Sequence, residues 1–272
     1  MKNARCQRIL VTVLSALAAA TISARAETIT VPNASFESPP TLLADPRVDS
    51  WQETPKPAWY DETGGFTWDQ LVGVFLNSSP TKSDYIDNIS GSQALYIFAV
   101  PQTGLFQDYD TIDWAHIIPT HEFNATFEAG KSYKLTAGFI GGGMGMSNGV
   151  TVEMSLYYRD ALSNKVTVAA TNIMHTNTFF TNTTHFIDIQ LALPLVTTSN
   201  AWVGKKIGIQ FLSTVDPALA GGYWDIDNVR LTAIREPVLS NPVFTNGQFR
   251  TTLQSEPGLR FEMLRTTNIA QP

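Results

Sequence analysis

The sequence predicts an all-β, antiparallel sandwich, and three observations predict it. Apolar and polar residues alternate at period two through much of the chain, the spacing of a strand with one face in a core and the other in water. Almost nothing repeats at helical spacing. Two apolar segments that each carry acidic residues, 31–37 and 223–231, enclose the alternating region, as when the first and last strands of one sandwich meet.

The first element is an address. Lys2, Arg5 and Arg8 supply a basic start, residues 9–22 an apolar run, and Ala24 and Ala26 a small-residue cleavage site. An apolar run of about 14 residues is shorter than the ~20 a spanning helix needs. Residues 1–26 are therefore expected to be a cleaved signal peptide, the mature protein to be secreted, and no transmembrane anchor to remain. Cys6, the single cysteine, leaves with the peptide, so no disulfide or thiolate chemistry is expected. Of 18 basic residues, Lys2, Arg5, Arg8 and Arg25 also leave, so 14 face 24 acidic ones for a net charge of −10. Such a surface repels phosphate backbones, which argues against a nucleic-acid partner.

Residues 27–234 are assigned to the sandwich. Segment 38–87 is different from the rest, with six prolines among Trp51, Trp59, Tyr60, Phe66 and Trp68. It reads either as a loop packed over the core or as a binding surface. Residues 94–100 are evenly apolar, as in a strand covered on both faces. Clean alternation follows in Tyr133, Leu135, Ala137 and Phe139, then in Val152, Met154 and Leu156. It recurs in Ile187, Ile189, Leu191 and Leu193, and again in Ile207, Ile209 and Phe211. Residues 128–131 and 160–165 read as turns. The glycine run 141–145 is followed by a strand, so it reads as a loop and not as a phosphate cradle at a helix start. Residues 235–272 form a short, incomplete β module with strand-like runs at 242–245, 248–254 and 260–265.

The order of motifs resembles secreted bacterial jelly rolls of the galactose-binding-like and carbohydrate-binding-module class. Its pieces are N-x-x-F-E at 33–37, A-G-x-x-Y-x-L at 129–135 and D-N-V-x-L at 227–231. The resemblance implies a jelly-roll β-sandwich and a carbohydrate or cell-surface polysaccharide as partner. Indole faces stack on sugar C–H faces, with Asn, Asp and Gln addressing hydroxyls. The candidate platforms are Trp51, Trp59, Trp68 and Trp114, with Asp61, Asp69 and Gln70 beside them; the competing reading is that these rings plug the sandwich.

The same resemblance implies a structural Ca²⁺ held by Glu37 and Asp227. Strand alternation places Asp227 on the face of Val229, Leu231 and Ala233, where a carboxylate needs a partner. Calcium takes 6–8 oxygens and suits two carboxylates with carbonyls; hydrogen bonds to loop amides are the alternative. The four histidines, His116, His121, His175 and His185, have no metal-binding spacing.

A binding protein is thus the main expectation, and a structural matrix component without a small-molecule site the second. Cyanobacterial calcium-dependent cyclases of terpenoid-indole substrates use a similar signal-bearing jelly roll with an aspartate as acid. On that analogy Asp225, beside Trp224, is the candidate acid, since a carboxylic acid whose pKa is raised by burial can protonate a carbon or an ether.

Overall fold

The computed structural model describes residues 26–113, 117–235, 237–245 and 248–254. The signal segment, Trp114, His116 and the strand-like run at 260–265 lie outside the described residues.

Residues Ala26–Val238 form one compact unit. Its strands are β1 (Glu27–Ile29), β2 (Ala44–Asp45), β3 (Gln52–Glu53), β4 (Val72–Leu76), β5 (Gln93–Phe98), β6 (Gly104–Gln107) and β7 (Ile112–Asp113). They continue with β8 (Ile118–Pro119), β9 (Lys131–Gly143), β10 (Thr151–Arg159), β11 (Lys165–Met174), β12 (Ile187–Leu193), β13 (Gly208–Ser213) and β14 (Tyr223–Arg235). One sheet of seven strands runs β12-β9-β14-β5-β4-β2, with β1 added on β14. The facing sheet of five runs β11-β10-β13-β6-β3, and β7 pairs with β8 apart from both.

Among the described residues these strands pair antiparallel, and the order is that of a jelly-roll sandwich. The first and last strands of the unit meet, Ile29 opposite Leu231. Period-two alternation turns Leu95, Ile97, Leu135, Ala137 and Phe139 from one sheet onto Val152, Met154, Leu156, Ile209 and Phe211 of the other. Proline-rich segment 38–87 contributes to this core: the Trp51 ring is fully buried, 5.5 Å from Phe36 and 5.9 Å from Phe211.

Strands β15 (Val238–Thr245) and β16 (Gln248–Gln254) pair with each other as a two-stranded hairpin. Among the described residues no helix is long and apolar enough to cross a membrane.

Because Trp51 fills the core, Trp51→Ala is expected to cost about 3–5 kcal/mol of stability. Trp59→Ala, at a half-exposed ring, is expected to cost less than about 1 kcal/mol. Urea unfolding of both variants checks the contrast.

Candidate active site

Strand β14 is paired on both sides at its start, to β5 (Asp225 opposite Tyr96) and to β9 (Asp225 opposite Ile140). Trp224 and Ile226 point into the main core. The intervening Tyr223, Asp225 and Asp227 therefore face outward from the seven-stranded sheet. The pairing with β9 then slips between Asp227 and Arg230, where Asn228 adopts φ +55°. This bulge reverses the phase, and Val229, Leu231 and Ala233 point inward in their turn. Uninterrupted alternation had put Asp227 with those three; the bulge puts it with Asp225.

The outer face is dry where Asp225 sits. Ile86, Ala94, Ile140 and Phe186 form a second, smaller apolar cluster there, with Phe75 and Ile89 against it. Asp225 is 8% exposed, and its Oδ1 has no hydrogen-bond partner. Burial alone pushes its carboxyl up to about 8. At neutral pH the group is an acid holding its proton.

Asp225 borders a cavity of about 620 Å³. Aromatic rings form one wall: Phe98 lies 5.9 Å from Tyr96 and 5.9 Å from Tyr223. Gly143 permits this wall, because a Cβ there would meet the Tyr223 ring at 2.4 Å. Burial and the charges of Asp225 and Asp84 raise the Tyr223 phenol. Burial, then the charges of Glu53, Asp45 and Asp69, push Tyr96 up to about 12. Leu43, Leu76 and Met144 make an apolar rim, and Asn77, Ser78, Ser83, Asp84, Thr183 and Thr184 supply the polar groups. No lysine, arginine or histidine lines the cavity among the described residues.

Asp227 faces a separate hollow of about 310 Å³ with Asn88, His185 and Asp188. It accepts from the backbone N–H of Ser90 (2.5 Å) and of Asn228 (2.6 Å). Glu37 accepts from the N–H of Ser92 (2.8 Å) and Gln93 (2.7 Å) and from the Ser92 hydroxyl. Both carboxylates thus grip residues 90–93, the approach to β5. Burial pushes Asp227 up to about 7, its two hydrogen bonds oppose that, and Glu37's charge adds to it. Among the described residues no group of three or more His, Cys, Asp or Glu is placed to hold a metal.

The tryptophans are not brought together as a platform. Trp51 is core, and Trp68 is buried with its Nε1 donating to the Thr54 carbonyl (2.7 Å). Trp59 is exposed, edge-on to Tyr60, and Trp114 lies outside the described residues. Asp61 accepts from Thr63, Asp69 bonds the Thr67 hydroxyl, and Gln70 accepts from the Thr67 N–H, so all three serve local turns. Sequence reasoning reached Asp225 but not Tyr96, Phe98, Tyr223 or Asp84. The signal for two of them was present: Ala94, Tyr96 and Phe98 alternate with Leu95 and Ile97, so an evenly apolar strand presents rings on its second face.

Comparison with known proteins follows this geometry. Residues 27–232 match the model of the HpiC1-like family, described as HpiC1 cyclase. No curated protein matches. Among solved structures, a cyclase from Fischerella sp. TAU is 20% identical with a TM-score of 0.55, over 79% of this chain and 100% of that one. The Stig cyclase Fisc from the same source, in complex with (3Z)-3-(1-methyl-2-pyrrolidinylidene)-3H-indole, is 20% identical with a TM-score of 0.52, over 77% and 98%. A Fischerella sp. TAU cyclase in complex with 4-(1H-indol-3-yl)butan-2-one is also 20% identical at 0.52, over 76% and 97%. At this identity the structures establish the likeness of fold. The family match overturns the expectation of a carbohydrate-binding protein with a polysaccharide partner; two of the motifs that suggested it, 129–135 and 227–231, run into β9 and along β14 and belong to the sheet.

Asp225, Asp227 and Glu53, the last pushed up to about 8 by burial and then by Asp69's charge, all hold protons in the folded state more tightly than when unfolded. Folding then takes up protons between about pH 4 and 8, so stability falls as pH rises through that window. In metal-free buffer the thermal midpoint is expected to drop from pH 5 to pH 8. Asp225→Asn should flatten that slope, as read by melts across the range.

Proposed function

This chain belongs to the HpiC1-like cyclase family, and from that premise we propose that it catalyses a proton-initiated cyclisation of an alkenyl indole, with Asp225 as the acid. The observation that carries the reading is the unpartnered, buried carboxyl of Asp225 bordering an aromatic-walled cavity. A cavity of this volume lies within the ~300–1,000 Å³ range of small-molecule sites. The indole class is taken from the ligands bound to the Fischerella cyclases.

In this scheme the Asp225 O–H bond breaks and its proton adds to an alkene carbon of the substrate. The alkene electron pair forms the new C–H bond and leaves a carbocation. The aspartate left behind is a nearby negative charge, and the faces of Tyr96, Phe98 and Tyr223 attract the cation. The indole's electron-rich ring then attacks it to form the new C–C bond. Loss of a ring proton restores aromaticity, and one proton returns to Asp225. The product is an isomer of the substrate, so no co-substrate is consumed. A diphosphate leaving group is disfavoured as the starting point, since among the described residues no cationic side chain lines the cavity to hold one.

Calcium enters this proposal as a structural ion and takes no part in the chemistry. Glu37 and Asp227 would hold it, because two oxygen-donor carboxylates whose charges oppose one another are both kept ionised by a dication. Glu37 Oε2 and both Asp227 oxygens accept one hydrogen bond each and so retain a lone pair, whereas Glu37 Oε1 already accepts two. Residues 1–26 are proposed as an export signal, which would put the reaction outside the cytoplasm.

With 3-geranylindole as probe, the protein is expected to yield cyclised isomers of unchanged mass. Asp225→Asn should slow that by at least about 100-fold while still binding 4-(1H-indol-3-yl)butan-2-one by calorimetry. Full activity in Asp225→Asn would remove the acid assignment; absence of both turnover and binding would remove the substrate class. Separately, excess Ca²⁺ over EGTA should raise the thermal midpoint by several degrees, and Asp227→Asn should abolish that shift.

A further inference from the structure

We infer that the cavity selects a ligand whose outer end carries a positive charge, an ammonium on the arm of an indole, and that Asp84 is the residue that selects it. This rests on the indole reading of the cavity and adds a specificity to it.

Asp84 lines the same cavity as Asp225 but is exposed to solvent. Its loop is held at the base. The Asn77 side chain donates to the Ile86 carbonyl (2.9 Å) and accepts from the Ile86 N–H (3.0 Å), while Asp87 N–H donates to the Thr184 carbonyl (3.1 Å). Ile86 itself is buried in the outer apolar cluster. Asp84 therefore stands two residues from an anchored point.

Its carboxylate is not consumed by the protein: among the described residues it has neither an ion pair nor a hydrogen bond. Its charge is nevertheless felt inside the cavity, where it opposes ionisation of the Tyr223 phenol. Asp84 is the solvent-exposed carboxyl of the lining, whereas Asp225 lies buried at the cavity's edge. With no cationic side chain in the lining among the described residues, the field is one-sided. The Phe98 and Tyr223 rings add their negative faces to it. A cation is attracted by both features, a neutral group by neither, and an anion is repelled.

The test compares tryptamine with its neutral isostere 3-ethylindole at pH 7, by calorimetry on the folded protein. Tryptamine is expected to bind about fivefold tighter, the combined effect of one exposed carboxylate and the ring faces. Asp84→Asn should bring the two within about twofold by weakening tryptamine and leaving 3-ethylindole unchanged, and about 0.5 M NaCl should shrink the wild-type preference. Equal affinities in the wild type, or a preference that survives Asp84→Asn, overturns the role of Asp84 and leaves the indole site standing. Binding of neither probe overturns both readings.

Discussion

The first half of β14 is hydrogen-bonded on two sides, and its inward side chains, Trp224 and Ile226, are locked into the main core. Asp225 therefore cannot leave the outer face to find water or a partner without unzipping the central strand of the sheet. A neutral buried carboxyl with an unmade hydrogen bond costs about 1–3 kcal/mol. The strand's pairing and the Trp224 ring hold it there regardless. Its high affinity for a proton follows from that immobility, because among the described residues no nearby cation or amide lowers the charged form in energy.

Asp227, two residues on, shows what the same face does to a carboxyl that has partners. It is fully buried, yet two backbone N–H groups offset part of the burial. Those bonds tie it to residues 90 and 228, and Glu37 ties residues 92 and 93 nearby. The pair fixes the entry to β5, and β5 carries Tyr96 and Phe98 into the aromatic wall. One carboxyl of the face is thus spent on architecture and the other is left free for chemistry. A change at Asp227 should reach the cavity only through the position of β5.

The sandwich was legible because half-buried strands announce themselves by alternation, and Leu135, Phe139, Val152, Met154, Ile209 and Phe211 all point where that pattern puts them. The site was less so, for three physical reasons. The bulge at Asn228 adds one residue to the count and has no composition of its own, so the inward side of Val229 was right while that of Asp227 was not. Tryptophan is the conspicuous aromatic in segment 38–87, but large rings are the residues a core uses best, and Trp51 and Trp68 are buried there. The rings of the cavity's aromatic wall are a tyrosine and a phenylalanine inside an apolar run and a tyrosine beside Trp224, each with no sequence mark of exposure. Asp84 is one acidic residue in a polar loop, and only the fold brings it to Tyr223.

A jelly roll can present its outer sheet face as a wet platform or as a dry floor, and the difference lies in a few residues. A sugar platform needs flat rings in water with polar side chains free to meet hydroxyls. Here Asp61, Asp69 and Gln70 are occupied by their own turns, and of the candidate platforms Trp51, Trp59 and Trp68 only Trp59 is substantially exposed. Ile86, Ile140 and Phe186 instead exclude water from the face beside Asp225. Removing water is what converts an aspartate from a solvated charge into a proton donor at neutral pH. Strand order leaves that choice open; the side chains that cover the outer face of β9 and β14 make it.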